Sequence, residues 1–85
     1  MKLTMLTRAW CHLCDEMLEA VRPVAAAAGA SVALVDVDLP ANAALEARWG
    51  DKVPVLFAGE PSGGVELCRH RFDGARVNAA LAEPG

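Results

Sequence analysis

The sequence predicts an α/β protein with one four-stranded mixed β-sheet and helices packed on both faces. Three observations support this prediction. Short apolar runs alternate along the chain with segments whose apolar residues recur at helical spacing. The element order is strand, helix, strand, helix, strand, strand, helix, and a strand–helix–strand connection makes the first two strands parallel. The short stretch GEPSGG between the last two strands reads as a turn and makes that pair antiparallel.

The first half of the chain carries two strands around a long helix. Residues 2–6 alternate and are apolar enough for a short, nearly buried strand. Residues 12–28 place apolar side chains at helical spacing, with acidic residues in the first turn and Gly29 as an end signal. Pro23 lies inside this helix, and we expect it to kink or restart the helix. Residues 31–37, SVALVDV, are β-branched and apolar and predict the second strand.

The second half of the chain adds a short helix, two strands and a last helix. Residues 40–49 predict the short helix, and Gly50 is its stop signal. Residues 53–58 predict the third strand and residues 65–69 the fourth. Asp73 is expected to cap the last helix, because an aspartate at that position accepts hydrogen bonds from unpaired amides of the first turn.

Length, charge and apolar content limit the classes of function. The chain of 85 residues has the size of one domain, which we assign to residues 1–85. Its net charge is −3 and it contains no basic block, which argues against nucleic acid or an anionic membrane as a partner. No apolar run approaches the roughly 20 residues of a membrane span, and the N-terminus lacks the pattern of a signal peptide. We therefore expect a cytoplasmic, monomeric protein.

Cys11 and Cys14 stand where the first strand gives way to the first helix. In a reducing compartment, a Cys-x-x-Cys pair is more often catalytic or metal-binding than a permanent disulfide. The amides at a helix start are unpaired and the helix dipole is positive there, so the pKa of Cys11 should fall below the free value of about 8.5. Cys14 lies on the same side of the helix and can attack a mixed disulfide formed by Cys11. The pair therefore predicts thiol–disulfide exchange, with Cys11 as the nucleophile and Cys14 as the resolving thiol.

The segments RAWCHLC, after the first strand, and KVPVL, at the third strand, resemble those of thioredoxin-fold oxidoreductases, and of small bacterial glutaredoxin-like proteins most closely. The resemblance covers nearly the whole chain and implies a thioredoxin-like fold of the glutaredoxin type. It implies a cis peptide bond between Val53 and Pro54 that faces the cysteines, with the Val53 main chain offered to a bound peptide or to glutathione. It also implies substrate-binding roles for Arg8, at the position of a family lysine, and for Trp10, the aromatic residue before the first cysteine.

The resemblance also implies what the site would act on. Glutaredoxins hold the γ-glutamyl end of glutathione with a Gly-Gly motif and acidic residues after the fourth strand. Asp73 could supply part of that site here, but the pair Gly63 and Gly64 precedes the strand. His12, next to Cys11, could bind at the site by stabilising the thiolate through its partial charge, or could simply face solvent. The implied activity is the reduction of protein or glutathione mixed disulfides or of small-molecule thiol substrates, without a bound cofactor, with glutathione or a reductase as electron donor.

Two other classes of function remain open at this point. Cys11, Cys14, Cys68 and His70 are ligand types that zinc accepts, so the pair could be half of a metal site. The chain could also be a non-catalytic thioredoxin-fold module that binds a partner at the segment containing Pro54. We favour the redox interpretation, with no metal ligands, and assign Cys68 a structural role on an edge strand.

Overall fold

The computed structural model describes residues 1–83 of the chain. Its elements follow the predicted order. The four strands are β1 (Lys2–Thr7), β2 (Ser31–Asp36), β3 (Val55–Ala58) and β4 (Val65–Arg69). The helices are α1 (His12–Ala27), α2 (Ala43–Trp49) and α3 (Gly74–Ala82), and a single 3-10 turn, Pro40–Asn42, precedes α2. None of the helices within residues 1–83 has both the length and the apolar character needed to cross a membrane.

The four strands form one mixed sheet in the order β2-β1-β3-β4. β1 pairs with β2 in parallel, and β3 pairs antiparallel with both β1 and β4. β1 therefore lies inside the sheet and is buried on both faces from Leu3 to Leu6. The predicted topology is confirmed, including the antiparallel pair that follows from the short turn between the last two strands.

Each face of the sheet carries its own apolar cluster, as a sheet with helices on both sides requires. On one face, α1 and α3 pack through Met17, Val21 and Val77 against Leu3, Met5, Leu56 and Leu67. On the other face, α2 packs through Trp49 against Leu6, Val37, Val55 and Phe57. The rings of Trp49 and Phe57 meet edge to face, with centroids 5.3 Å apart.

Several predicted boundaries are corrected by the structure. The third strand begins at Val55, because Pro54 has no N–H group to donate to the sheet. The segment 40–49 divides into the 3-10 turn and α2. Pro23 does not restart α1, which continues to Ala27. Pro23 is exposed, and so is Glu19, the residue whose carbonyl group lacks a helical donor because of the proline.

Candidate active site

Cys11 and Cys14 are joined by a disulfide at the N-terminus of α1. Cys11 is the N-cap residue, with an extended backbone of φ −110° and ψ 102°. Its Sγ accepts a hydrogen bond from the main-chain N–H of Cys14 at 3.1 Å, and the two Cα atoms are 5.2 Å apart. Cys11 is half-buried, whereas Cys14 is only 1% exposed. A second molecule can therefore reach the sulfur of Cys11 while Cys14 stays shielded, as thiol exchange through a resolving thiol requires.

The segments expected to surround Cys11 lie at the end of the sheet where β1 ends. Leu6, near the end of β1, pairs with Val55 at the start of β3, and Val55 pairs with Arg69 at the end of β4. The end of β2 lies beside the end of β1, since these two strands are parallel. The topology therefore brings the linker that carries Cys11 to the same end of the sheet as Pro54 and the residues after β4.

The Val53–Pro54 peptide bond is cis, as the resemblance implies. Pro54 is buried, and Val53 is half-buried against the cluster under α2. The carbonyl oxygen of Pro54 accepts a hydrogen bond from the main-chain N–H of His70 at 2.8 Å. His70 adopts a φ of 66°, which is uncommon for a residue other than glycine. The sequence gives no signal for the contact of His70 with this loop, because a main-chain hydrogen bond does not require a particular side chain.

Exposed apolar and polar side chains surround Cys11. Trp10 has a φ of 60° and its side chain is fully exposed, while His12 is exposed at the first residue of α1. Leu13, between the two cysteines, is 41% exposed. A groove of ≈ 400 Å³ begins at this leucine and is lined by Leu13, Glu16, Met17, His70, Arg71 and Phe72. The side chains of Trp10 and His12, both predicted to belong to the site, therefore flank Cys11 in sequence and face solvent.

Arg8 lies in the linker between β1 and α1, but its guanidinium is bound to carboxylates. It donates hydrogen bonds to both carboxylate oxygens of Asp38, at 2.6 and 3.2 Å, and to Glu46 at 3.3 Å. A further bond reaches the carbonyl oxygen of Gly50 at 2.8 Å. The hydrogen bond between the two side chains raises the pKa of Arg8 and lowers the pKa of Asp38 below its ordinary value. The charge of Arg8 is thus balanced within the protein, and its role toward a substrate stays a prediction.

Asp73 and Cys68 are held by the structure in different ways. Asp73 is the N-cap residue of α3, and its carboxylate accepts a hydrogen bond from the main-chain N–H of Arg76 at 3.1 Å, which confirms the predicted cap. Cys68 is a free thiol on β4 and is 9% exposed. Burial raises the pKa of the Cys68 thiol, so this thiol stays protonated at neutral pH.

The zinc interpretation finds no support in the arrangement of the possible ligands. Across residues 1–83, the histidine, cysteine, aspartate and glutamate side chains form no cluster of three or more that could hold a metal ion. Cys11 and Cys14 are bonded to each other, and Cys68 packs in the core cluster between the sheet and α1 and α3. The three cysteines and His70 therefore do not form the four-ligand zinc site considered as an alternative.

Comparison with protein families gives a match over almost the whole chain. A family model described as Glutaredoxin-like domain (DUF836) matches residues 2–82. The uncharacterized protein Rv0508 of Mycobacterium tuberculosis is 29% identical over 87 residues, covering 98% of this chain and 90% of its own length. The uncharacterized protein Mb0520 of Mycobacterium bovis matches with the same identity and coverage.

Solved structures share the fold. The protein Ne2328 from Nitrosomonas europaea is 32% identical, with a TM-score of 0.79, and the match covers 95% of this chain and 91% of that one. Thioredoxin 1 from Thermosipho africanus has a TM-score of 0.64 at 20% identity, covering 95% of this chain and 90% of its own. A thioredoxin from Trichomonas vaginalis has a TM-score of 0.60 at 25% identity, covering 94% and 75%. The fold is thioredoxin-like, and the pair Cys11 and Cys14 within it supports a redox-type role.

Proposed function

Because this chain belongs to the glutaredoxin-like domain family, we propose that it is a dithiol–disulfide oxidoreductase that reduces disulfide bonds in proteins or small thiol compounds. The observation that carries the proposal is the position of the cysteine pair. The Cys14 amide points at the Sγ of Cys11 from the N-terminus of a 16-residue helix, and this stabilises negative charge on that sulfur. Cys14 itself is shielded behind it.

The proposed reaction has two exchange steps. The Cys11 thiolate attacks one sulfur of the substrate disulfide, so a mixed disulfide forms and the other substrate sulfur leaves as a thiolate that takes up a proton. The Cys14 thiol then loses its proton and attacks the Sγ of Cys11, which releases the second substrate thiol and closes the Cys11–Cys14 disulfide. The substrate gains two electrons and two protons, and an external thiol donor must return the protein to the dithiol form.

The electron donor is either a thiol compound or a reductase protein. Glutathione and a thioredoxin reductase are the two candidates, in line with a cytoplasmic, monomeric protein that works in a reducing compartment. Of the residues that the resemblance assigns to glutathione, Arg8 is bound to Asp38 and Glu46, and Asp73 caps α3. Turnover of a disulfide peptide, measured with glutathione and glutathione reductase or with thioredoxin reductase as the only electron source, separates the two donors.

The test of the function uses three single-cysteine substitutions. The Cys11→Ser variant should lose disulfide reduction, because it lacks the nucleophile. The Cys14→Ser variant should accumulate a mixed disulfide between Cys11 and the substrate, detected by mass spectrometry of the intact protein. The Cys68→Ala variant is the matched control, because it removes a cysteine outside the pair, and it should keep turnover per folded molecule.

Three outcomes would overturn the proposal. Turnover that persists in Cys11→Ser would show that the pair does not carry the chemistry. Turnover that is lost only in Cys68→Ala would move the reacting thiol to β4. A reduced wild-type protein that fails to reduce any disulfide with either electron source would favour a non-catalytic binding module.

A further inference from the structure

Arg8 connects the linker that carries Cys11 to two other segments of the chain. It lies three residues before Cys11, at the point where β1 has ended and α1 has not begun. Four of its five N–H donors are used within the protein: two bonds reach Asp38, one reaches Glu46 and one reaches the carbonyl oxygen of Gly50. The side chain is therefore a bridge with a defined set of partners.

The partners of Arg8 belong to the segments that frame the other side of the site. Asp38 follows β2 and Glu46 lies on α2. Gly50 ends α2 and begins the short loop that leads to Val53 and Pro54. A single guanidinium thus fixes the linker before Cys11 against the loop that presents Pro54.

The charges around Arg8 argue against a direct role toward an anionic ligand. One cation faces two carboxylates, those of Asp38 and Glu46, so the cluster carries a net negative charge. An anionic group of a substrate would have to displace these carboxylates and would meet their repulsion. One N–H donor of the guanidinium is all that remains for a ligand.

We infer that Arg8 is a positioning residue, which holds the linker before Cys11 at a fixed distance from the loop that carries Pro54. The inference rests on the proposed function and deepens it, since a substrate disulfide that binds at this loop must also meet the Cys11 sulfur in line. Only an arginine presents several N–H donors in a planar fork, so Arg8 can hold two carboxylates and a carbonyl oxygen together. Small displacements matter here, because a misplacement of about 1 Å can slow a reaction roughly a hundredfold.

The test compares two reactions of Cys11 in the reduced Cys14→Ser protein. Iodoacetamide is small, so its rate of reaction depends on the Cys11 thiolate and not on docking at the loop. A disulfide-linked peptide must also dock at the loop that carries Pro54. Both rate constants are measured where circular dichroism shows each variant to be fully folded, because unfolded molecules would still react with iodoacetamide. We measure this ratio for Arg8→Gln and for Asp38→Asn, with Arg22→Gln and Glu60→Gln as controls.

The controls match the test variants in chemistry and lie outside the bridge. Arg22 is an exposed arginine farther along α1, and no ion pair with it is formed by residues 1–83. Glu60 pairs with Lys2 at the opposite end of β1. Neither substitution should change the ratio of the two rate constants.

The Asp38→Asn variant distinguishes the three roles that Arg8 could have. If Arg8 is a positioning residue, Asp38→Asn and Arg8→Gln should both lower the peptide-to-iodoacetamide ratio, by about tenfold, and should leave the iodoacetamide rate unchanged. If Arg8 bound the substrate directly, Asp38→Asn would free its charge and raise the ratio. If Arg8 stabilised the Cys11 thiolate, the iodoacetamide rate would fall in Arg8→Gln.

Two results would overturn the inference while leaving the proposed function intact. One is an unchanged or raised ratio in Asp38→Asn. The other is an iodoacetamide rate that falls in Arg8→Gln as much as the peptide rate does. A wild-type dithiol protein that reacts with iodoacetamide but with no disulfide would instead count against the proposed function itself, so the two failures are distinguishable.

Discussion

We expect the position of Cys11 at the start of α1 to make its thiol reactive, and the Cys14→Ser variant measures this reactivity directly. The main-chain N–H of residue 14 is retained in this variant and still points at the Cys11 sulfur, at 3.1 Å in the wild-type protein. We take about 1 kcal/mol for a charge at an exposed helix N-terminus and about 1.5 kcal/mol for a hydrogen bond to a charged group. Together, about 2.5 kcal/mol multiplies the thiolate-to-thiol ratio of Cys11 by about 70 relative to an unfolded chain.

This stabilisation predicts a rate of alkylation that depends on pH. An ordinary thiol is about 3% ionised at about pH 7, so a factor of about 70 raises the thiolate fraction about twentyfold there. A stabilised thiolate is a weaker nucleophile, and a Brønsted coefficient of about 0.45 removes roughly sevenfold of this gain. The net rate advantage of Cys11 is then about threefold at about pH 7 and about tenfold at about pH 5.5, where an ordinary thiol is hardly ionised.

The assay is alkylation by iodoacetamide across this range of pH, followed by trypsin digestion and mass spectrometry. In the Cys14→Ser variant, Cys11 is the one cysteine in the tryptic peptide 9–48, since trypsin does not cleave between Arg22 and Pro23, and Cys68 falls in peptide 53–69. The reference is the same variant unfolded in urea, in which the helix is absent. Restricted access would lower the folded-to-unfolded rate ratio equally at every pH. A ratio that does not rise as the pH falls would refute the stabilisation of Cys11 by α1.

Four further predictions concern stability, each measured by thermal or denaturant unfolding of the oxidised protein. Thr4→Val should stabilise the fold by about 1 kcal/mol, because the buried Thr4 hydroxyl has no hydrogen-bond partner among residues 1–83; a loss of stability would contradict this. Gly64→Ala should lower the free energy of unfolding by about 2 kcal/mol or more, because the added Cβ would lie within 2.5 Å of a main-chain carbonyl oxygen. Gly63→Ala is the control and should lower it far less, since no atom lies within 4 Å of the added Cβ. Asp73→Ala should cost about 1 kcal/mol through loss of the cap of α3, and Asp73→Asn should keep most of that stability. The raised pKa of Cys68 keeps the folded thiol neutral, so stability should be retained below the pKa of the unfolded thiol and should decline above it, by up to about 1.4 kcal/mol per pH unit. Cys68→Ala should remove this decline with pH. The same decline in Cys68→Ala and in the wild-type protein would contradict the burial argument.

The elements with strong local signals could be predicted from the sequence. β4 has its predicted bounds, and α3 begins directly after Asp73. These elements depend on local chemistry: a turn sequence followed by alternating apolar residues for β4, and a carboxylate one residue before the helix for α3. The same reasoning placed Cys11 at the start of α1, because the end of an apolar strand and the start of helical spacing are both visible in the sequence.

The features that sequence reasoning missed depend on residues distant in the chain. Arg8 was assigned to the substrate because of its place beside Cys11, but its carboxylate partners lie 30 and 38 residues away, and only the folded sheet brings them together. The apolar run 53–58 predicts a third strand from Val53, whereas the paired strand starts at Val55. Strand pairing is a property of main-chain donors, and Pro54 has none.

A positive φ angle occurs at one residue near Cys11 and at one residue after β4. Of the residues other than glycine in the range 1–83, those with positive φ are Trp10 and His70, and each follows a strand at the same end of the sheet. Such a conformation costs about 1–3 kcal/mol for a residue of this kind. His70 gains a hydrogen bond to Pro54 in return, whereas the fully exposed side chain of Trp10 gains no burial within the protein. An exposed tryptophan held in an unfavourable conformation beside Cys11 agrees with a surface that is covered when a substrate binds, because the apolar area of the indole then leaves water.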